Sequence, residues 1–308
     1  MRNVLVALVV VVAGCAHGPR PGAAPPAAGE APRHGERGAS EPIALPHRAV
    51  DADSGDELAE RNLDDKLRAA RVVYVGEEHP NPHHHAAELE VLERAYAADP
   101  SVGLGVEMLP RTYQGSLDAY VGGTLDEAGF LAAVAWDKTW GYPWGLYKPL
   151  LEFCRAHKLP AYALNAPREL AHAVAKSGLD GLTAAEKAEL PEMQPGPPKH
   201  RELVREAFAE HPHGRFDEAK FERFYAAQLV WDETMATMVA AALAATGAPA
   251  RLVVVAGEGH TRSFAIPDRA ARRGAAPYLM VLPVFEDDEA DARRDRAADV
   301  LWVLKTHE

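Results

Sequence analysis

Short apolar runs alternate with helical patterns along most of this chain, and this alternation constrains its fold more than any other feature. Six runs have the length and composition of strands, at residues 71–75, 102–108, 159–165, 251–257, 277–285 and 299–306. Runs that are largely apolar are typical of strands covered on both faces, and helices between strands require parallel crossovers. We therefore predict an α/β fold with a mostly parallel sheet flanked by helices.

Helical patterns separate most of these strands. The first pattern places four side chains on one helix face: His85, Leu89, Leu92 and Tyr96. The other patterns cover residues 147–158, 167–178 and 217–246. The segments 113–147 and 179–216 exceed what an α/β unit needs, so we expect them to form a helical cap beside the sheet. We assign residues 47–308 to one α/β domain that includes this cap.

The N-terminal residues have the pattern of an export signal. Arg2 precedes an apolar stretch too short to span a bilayer, and small residues lead into Cys15. This pattern resembles a lipoprotein signal over residues 1–15, with lipidation at Cys15 and anchoring in the cell envelope. Residues 16–46 are rich in Pro, Gly and Ala, so they cannot bury a core and we predict a disordered tether. Ala16 after the cysteine favours the outer membrane over the inner one.

Charge and cysteine content exclude several classes of function. The formal net charge of −12 at pH 7 argues against a nucleic-acid partner, because such a partner is held by neutralising phosphates. The two cysteines, Cys15 and Cys154, lie far apart in the sequence. A disulfide framework and a Cys-based zinc site are therefore excluded.

Titratable side chains follow several of the predicted strands. The first run leads into Gly76-Glu77-Glu78-His79, the second ends at Glu107, and the fourth leads into Gly257-Glu258-Gly259-His260. Ligands of open α/β sheets bind beyond the carboxyl ends of the strands. The Gly-x-x-His spacing recurs at two such ends, so we expect His79, Glu107 and His260 to share one pocket.

Two kinds of chemistry fit this trio. Two imidazoles and a carboxylate make a three-ligand site for a divalent metal, with a position open for water. The same trio, with Glu78 beside it, could act as a metal-free general acid and base. Gln228 and Asp232 lie four residues apart on the long predicted helix, where they either support the site or face solvent.

Three consecutive histidines follow His79 at the start of the first predicted helix. His85 falls on the buried stripe of that helix. His84 is placed to pair with Glu88, one turn further along. We therefore expect His83 to be the histidine that points toward the crevice.

Six motifs occur in an order that resembles the ChaN family of haem-binding, iron-regulated lipoproteins. They are GEEHPNPHHH, GVEMLPRTYQ, LYKPLLEF, LNAPREL, AQLVWDETMA, and AGEGH followed by IPDR. The resemblance extends from about Arg71 to Arg273. The family belongs to the Tiki-like superfamily and is related to TraB and erythromycin esterase-like proteins.

This resemblance implies a lipid-anchored protein that forms a homodimer around two haems stacked face to face. Each iron would be held by a tyrosine, with a histidine of the opposite subunit nearby. Our first candidate for the ligand is Tyr147, followed by Tyr142 and Tyr113. The other candidate haem contacts are His83, Asn165, Arg168, which could meet a propionate, and three indoles at Trp136, Trp140 and Trp144.

Two functions from different classes follow. The first is a non-catalytic haem-binding protein in haem or iron uptake at the envelope, with an outer-membrane haem or iron receptor as a partner. The second is a hydrolase that uses His79, Glu107 and His260. The resemblance permits it because Tiki members are metal-dependent proteases with paired Gly-x-x-His motifs and a Glu. Erythromycin esterases use a similar set without metal.

Overall fold

Seven strands form one sheet in the computed structural model, which describes residues 41–210 and 217–305. The strands are β1 His47–Asp51, β2 Val72–Glu77, β3 Val102–Pro110, β4 Ala161–Asn165, β5 Arg251–Gly257, β6 Tyr278–Phe285 and β7 Val300–Leu304. Their order is β1-β7-β6-β2-β5-β3-β4. Only the β1–β7 pair is antiparallel among these described strands. The predicted α/β fold with a mostly parallel sheet is confirmed.

Helices connect the strands and cover both faces of the sheet. Their bounds are α1 Glu60–Ala69, α2 Pro82–Ala98, α3 Gln114–Val121, α4 Glu127–Val134, α5 Trp136–Thr139, α6 Trp144–His157, α7 Arg168–Ser177, α8 Ala184–Glu189, α9 Pro198–Glu210, α10 Glu218–Ala244, α11 Glu258–Thr261, α12 Ile266–Ala271 and α13 Glu289–Arg294. The four predicted helical patterns correspond to α2, α6, α7 and α10. No helix in the described ranges is long and apolar enough to span a bilayer.

The strands alternate their side chains between two apolar layers. On β2, Val73 and Val75 pack into the layer formed with α1, α2 and α6, whereas Val72 and Tyr74 pack into the layer formed with α10 and α12. All six residues of β2 are buried. Because both faces of the central strands are covered, these strands carry apolar residues on both faces instead of on one.

Local capping signals set the helices that matter for the site. The Asn81 side chain accepts a hydrogen bond from the backbone N–H of His83, and Pro82 occupies the first helical position of α2. The Asp217 side chain accepts from the backbone N–H of Lys220 at the start of α10. These caps fix the first residue of each helix, and thereby the helix face on which the histidines of α2 and the polar residues of α10 lie.

The structure adds one strand that the sequence analysis did not predict. β1 is a short edge strand whose His47, Arg48 and Asp51 are only partly buried, so its sequence lacks the apolar run that identifies the other strands. The segment 113–147 contains α3, α4 and α5, and the described part of 179–216 contains α8 and α9. The predicted signal peptide, Cys15 and residues 16–40 of the predicted tether lie outside the described residues.

Candidate functional site

The carboxyl ends of β2, β5 and β3, which are adjacent in the sheet, bring the strand-end residues together. The end of β2 passes so close to α11 that a Cβ on Gly76 would stand 2.7 Å from Oγ1 of Thr261 and 3.3 Å from Cα of Glu258. A Cβ on Gly257 would stand 3.0 Å from Cε1 of His79. Glycine at both positions therefore lets the two Gly-x-x-His segments approach each other.

His79 is one of two imidazoles that a buried carboxylate orients at this edge. Its Nδ1 lies 2.6 Å from Oε1 of Glu77, so the ring donates from Nδ1 and turns Nε2 away from Glu77. Both side chains are almost fully buried. Burial alone would lower the pKa of His79, but the Glu77 carboxylate outweighs it and raises the pKa above its ordinary value.

His260 is the second imidazole, and Asp232 of α10 orients it in the same way. Nδ1 of His260 lies 2.6 Å from Oδ1 of Asp232, and Nε2 of His200 lies 3.2 Å from the other oxygen, Oδ2. Burial opposes the charged ring, but the carboxylates of Glu107 and Asp232 raise the pKa of His260 to about 9. The two imidazoles hold the pKa of buried Asp232 well below its usual range.

Glu107 lies between the two imidazoles. Its Oε2 accepts a hydrogen bond of 2.6 Å from the backbone N–H of Gly257, and its Oε1 lies 3.5 Å from Nε2 of His260. Nε2 of His79 and Oε2 of Glu107 both face Gly257, at 3.3 and 3.6 Å from the point where a Cβ would stand. The structure thus places His79, Glu107 and His260 in one location, as a carboxylate flanked by two oriented imidazoles.

Among the described residues, a different group of side chains is close enough together to hold a metal ion. Glu77, His85 and Glu88 offer three ligand atoms that all lie within 4.8 Å of one another. His85 pairs with Glu88 at 2.9 Å, so the expected pairing of His84 with Glu88 is wrong. His84 instead accepts a hydrogen bond at Nδ1 from the backbone N–H of Glu78, and burial lowers its pKa to about 3.

An aromatic wall closes one side of the site. The half-buried rings of Trp140 and Tyr142 contact the His79 ring, with centroids 4.7 and 5.1 Å away. Burial raises the pKa of Tyr142 to about 12, and the carboxylates of Glu77 and Glu107 add to the effect. Trp136 and Trp144 lie behind these rings, where they contact each other at 5.0 Å.

Tyr147 lies inside the core and not on the crevice. It is 1 % exposed, and its hydroxyl lies 3.3 Å from the carbonyl oxygen of His79 and 3.4 Å from Oε1 of Glu77. Burial raises the pKa of Tyr147 well above 10. An iron ligand must be reachable from the crevice, so the half-buried Tyr142 suits this role better than our first candidate. Tyr113 is partly buried against the main core.

The remaining residues predicted for the site make mostly local hydrogen bonds. Nδ1 of His83 lies 2.7 Å from the carbonyl oxygen of Ile43, and the approach of this side chain to the crevice stays a prediction. Asn165 accepts from the backbone N–H of the next residue at 2.8 Å. Arg168 is exposed and donates to the carbonyl of Lys138, which ties α7 to the segment that carries the aromatic wall. Glu78 accepts from Asn81 at 3.1 Å.

Several residues of this region were not singled out by the sequence analysis. Glu77 orients His79, and His200 contacts Asp232, the partner of His260; neither was assigned a role from the sequence. Gln228 and Asp232, which were expected either to support the site or to face solvent, are both buried on α10. Glu258 is also buried, and burial raises its pKa to about 7. The acid inside each Gly-x-x-His motif was the available signal for Glu77 and Glu258. His200 had none, because it reaches Asp232 from α9 through tertiary packing alone.

Comparisons with known proteins identify similar chains. A family model described as "Haem-binding uptake, Tiki superfamily, ChaN" matches residues 63–270. A solved structure of ChaN of Campylobacter jejuni, described as showing cofacial haem binding, is 15% identical with a TM-score of 0.67. The alignment covers 84% of this chain and 97% of that one. At 15% identity, this structural similarity shows a shared fold.

Weaker likenesses add no argument. The type III effector HopBA1 is 14% identical with a TM-score of 0.44, over 80% of this chain and 93% of that chain. The RRSP effector domain of a Vibrio vulnificus toxin is 17% identical with a TM-score of 0.40, over 74% of this chain and 36% of that chain. No curated protein sequence matches the chain.

Proposed function

Because the chain belongs to the ChaN family of haem-binding proteins in the Tiki superfamily, we propose that it binds haem and handles haem or iron at the cell envelope. The family match over residues 63–270 is the observation that carries this proposal. Lipidation at Cys15 would anchor the protein to the outer membrane, and an outer-membrane haem or iron receptor would be its partner. Haem loading would produce a homodimer.

The aromatic wall fits haem. Trp140 and Tyr142 offer partly exposed rings 5.7 Å apart at the mouth of the strand-end site, which supplies flat apolar contact for a porphyrin. Tyr142 is the phenol that we assign to the iron, because its ring is partly exposed beside His79. A bound ferric ion would itself favour the phenolate form. The guanidinium of Arg168 would meet a propionate through a charge-assisted pair.

A haem titration of the purified protein, followed by absorption spectroscopy, tests this proposal. We expect a saturable high-spin ferric spectrum, which Tyr142→Phe changes and which Tyr96→Phe, a substitution remote from the wall on α2, leaves intact. Sedimentation should show a shift from monomer to dimer with haem. The absence of any saturable spectral change would refute haem binding. If Tyr142→Phe left the spectrum unchanged, only the ligand assignment would fail.

The proposed anchor has a separate test. Cys15→Ala should abolish acylation, because a single thiol carries the lipid, and should release the protein from the membrane fraction. Retention of the variant in membranes, with normal processing, would contradict the assignment. This result would leave haem binding unaffected.

The paired dyads favour a second candidate function, a hydrolase. Glu77–His79 and Asp232–His260 are two carboxylate–imidazole dyads that flank Glu107, an arrangement suited to moving protons at a bound carbonyl or water. Turnover of ester or peptide substrates by the haem-free protein, lost in Glu107→Gln, would support this function. Equal turnover in that variant would exclude it.

A further inference from the structure

A second cluster of titratable side chains lies directly beneath His79, on the core side of Glu77. Glu77 is at the end of β2, and His85 and Glu88 come from the first two turns of α2. His85 and Glu88 are fully buried, and Glu77 is 2 % exposed. Nδ1 of His85 lies 2.9 Å from Oε2 of Glu88 and 3.1 Å from Oε2 of Glu77. Three ligand atoms therefore converge at a point that solvent does not reach.

The tautomer of His85 is what a metal ligand requires. Its Nε2 lies 2.9 Å from the carbonyl oxygen of His79, so the ring donates its proton there. Histidines that bind metals almost always donate their second ring N–H to a carbonyl or carboxylate in this way. In the neutral ring Nδ1 then carries a lone pair, and it faces two carboxylates that are themselves acceptors. This geometry requires positive charge between them, supplied either by a metal ion or by the proton of a charged imidazole.

The carboxylates also have unused capacity. Oε1 of Glu88 has no hydrogen-bond partner among the described residues, and Oε2 of Glu77 has none besides its ion pair with Nδ1 of His85 at 3.1 Å, although both atoms are buried. Buried acceptors without a partner are uncommon, because each loses its hydration without replacement. Ligand atoms about 3 Å apart match neighbouring donors around a first-row cation, whose bonds to nitrogen and oxygen are roughly 2.0–2.2 Å long.

We propose that Glu77, His85 and Glu88 bind a first-row divalent cation of the Zn²⁺ or Fe²⁺ type. One imidazole and two carboxylates suit these ions better than Cu⁺, which prefers sulfur, or Mg²⁺, which keeps its waters. The site is distinct from the trio of His79, Glu107 and His260. The ion would be taken up as the protein folds, since the ligands are buried.

Glu77 would link this cation to the strand-end site. Its Oε2 faces His85, whereas its Oε1 accepts from Nδ1 of His79 at 2.6 Å. A carboxylate shared between a cation and an imidazole is held in one orientation by both. The cation would thereby position His79, which the aromatic wall covers on its other side.

The experiment measures the metal content of protein purified from zinc-supplemented cultures and dialysed against a metal-free buffer. We expect about one Zn²⁺ per chain in the wild type. Zn²⁺ is usually four-coordinate, so the three side chains need only one further donor to complete its coordination. Glu88→Gln should lower the affinity at least about 100-fold, since even outer partners of metal ligands contribute 10–100-fold. Glu93→Gln, on the exposed face of the same helix, is the matched control and should bind normally.

Two further measurements separate the alternatives. Glu107→Gln should retain the metal; if it loses the metal while Glu88→Gln retains it, the ion lies at the strand-end trio and the proposal is wrong. A strong chelator should lower the thermal midpoint of the wild type and leave that of Glu88→Gln unchanged, because only a bound ion couples to unfolding. Wild-type protein without metal, and without a chelator effect, would show that protons alone hold the cluster together.

Discussion

The pairing of Asp232 with His260 makes a quantitative prediction about stability and pH. The pKa of His260 rises from 6.5 to about 9 in the folded protein, because Glu107 and Asp232 overcome the effect of burial. At about 1.36 kcal/mol for each pKa unit, this difference corresponds to roughly 3 kcal/mol of stability. A raised pKa contributes fully below pH 6.5 and is lost as the pH rises through about 9.

Replacing Asp232 with Asn tests this reasoning. Below pH 6.5 the variant should lose more than about 1 and at most roughly 3 kcal/mol of unfolding free energy, because one partner of the buried ion pair is removed while Glu107 still faces His260. The loss should shrink as the pH rises through and beyond about 9, since His260 becomes neutral in both proteins only above that pH. Urea denaturation across this range gives the free energies, and the exposed Asp180→Asn serves as the control.

The pH dependence of the difference is the decisive quantity. A variant that is destabilised equally at all pH values would show that Asp232 matters for packing or hydrogen bonding and not for holding the charged imidazole. A variant within about 1 kcal/mol of the wild type below pH 6.5 would refute the ion pair itself.

Two further predictions follow from contacts around the site. Gly257→Ala should destabilise the protein by about 1–3 kcal/mol in urea denaturation, because its Cβ would stand 3.0 Å from the His79 ring. Gly115→Ala is the control and should be neutral or slightly stabilising, because a Cβ there would meet no atom within 4 Å. Equal effects of the two substitutions would contradict the close approach at Gly257. His200→Ala should cost about 1–3 kcal/mol by leaving Oδ2 of Asp232 without its imidazole, and an unchanged urea midpoint would show that this contact is unimportant.

The fold and the trio were accessible from the sequence because each depends on a local pattern. Apolar runs identify the central strands, and the repeated Gly-x-x-His spacing marks two strand ends that the parallel sheet must bring to one edge. The tyrosine assignment depends on more than a local pattern. Tyr142 and Tyr147 lie in the same segment rich in tryptophan and tyrosine, so the sequence does not distinguish them. In the structure, the position of Tyr147 on α6 directs its side chain into the core.

The partners of the imidazoles could not be predicted for the same reason. His85 pairs with Glu88 and Glu77 because the end of β2 lies against the first turns of α2. Helical spacing alone does not predict how β2 packs against α2. His200 reaches Asp232 only because α9 packs on α10, through Phe208 and its neighbours. Such contacts depend on tertiary packing between segments that are distant in the chain.

The burial of Tyr147 changes how any haem experiment on this protein has to be designed. Its hydroxyl touches Oε1 of Glu77, the same atom that orients His79, so Tyr147→Phe removes a contact inside the buried cluster and not a group on the crevice. A spectral change in that variant would therefore report a shift of His79 or of the aromatic wall, without identifying an iron ligand. Tyr142 contacts the His79 ring from the crevice side. Only a change in Tyr142→Phe, with the stability of the protein preserved, therefore assigns the phenolate to the iron.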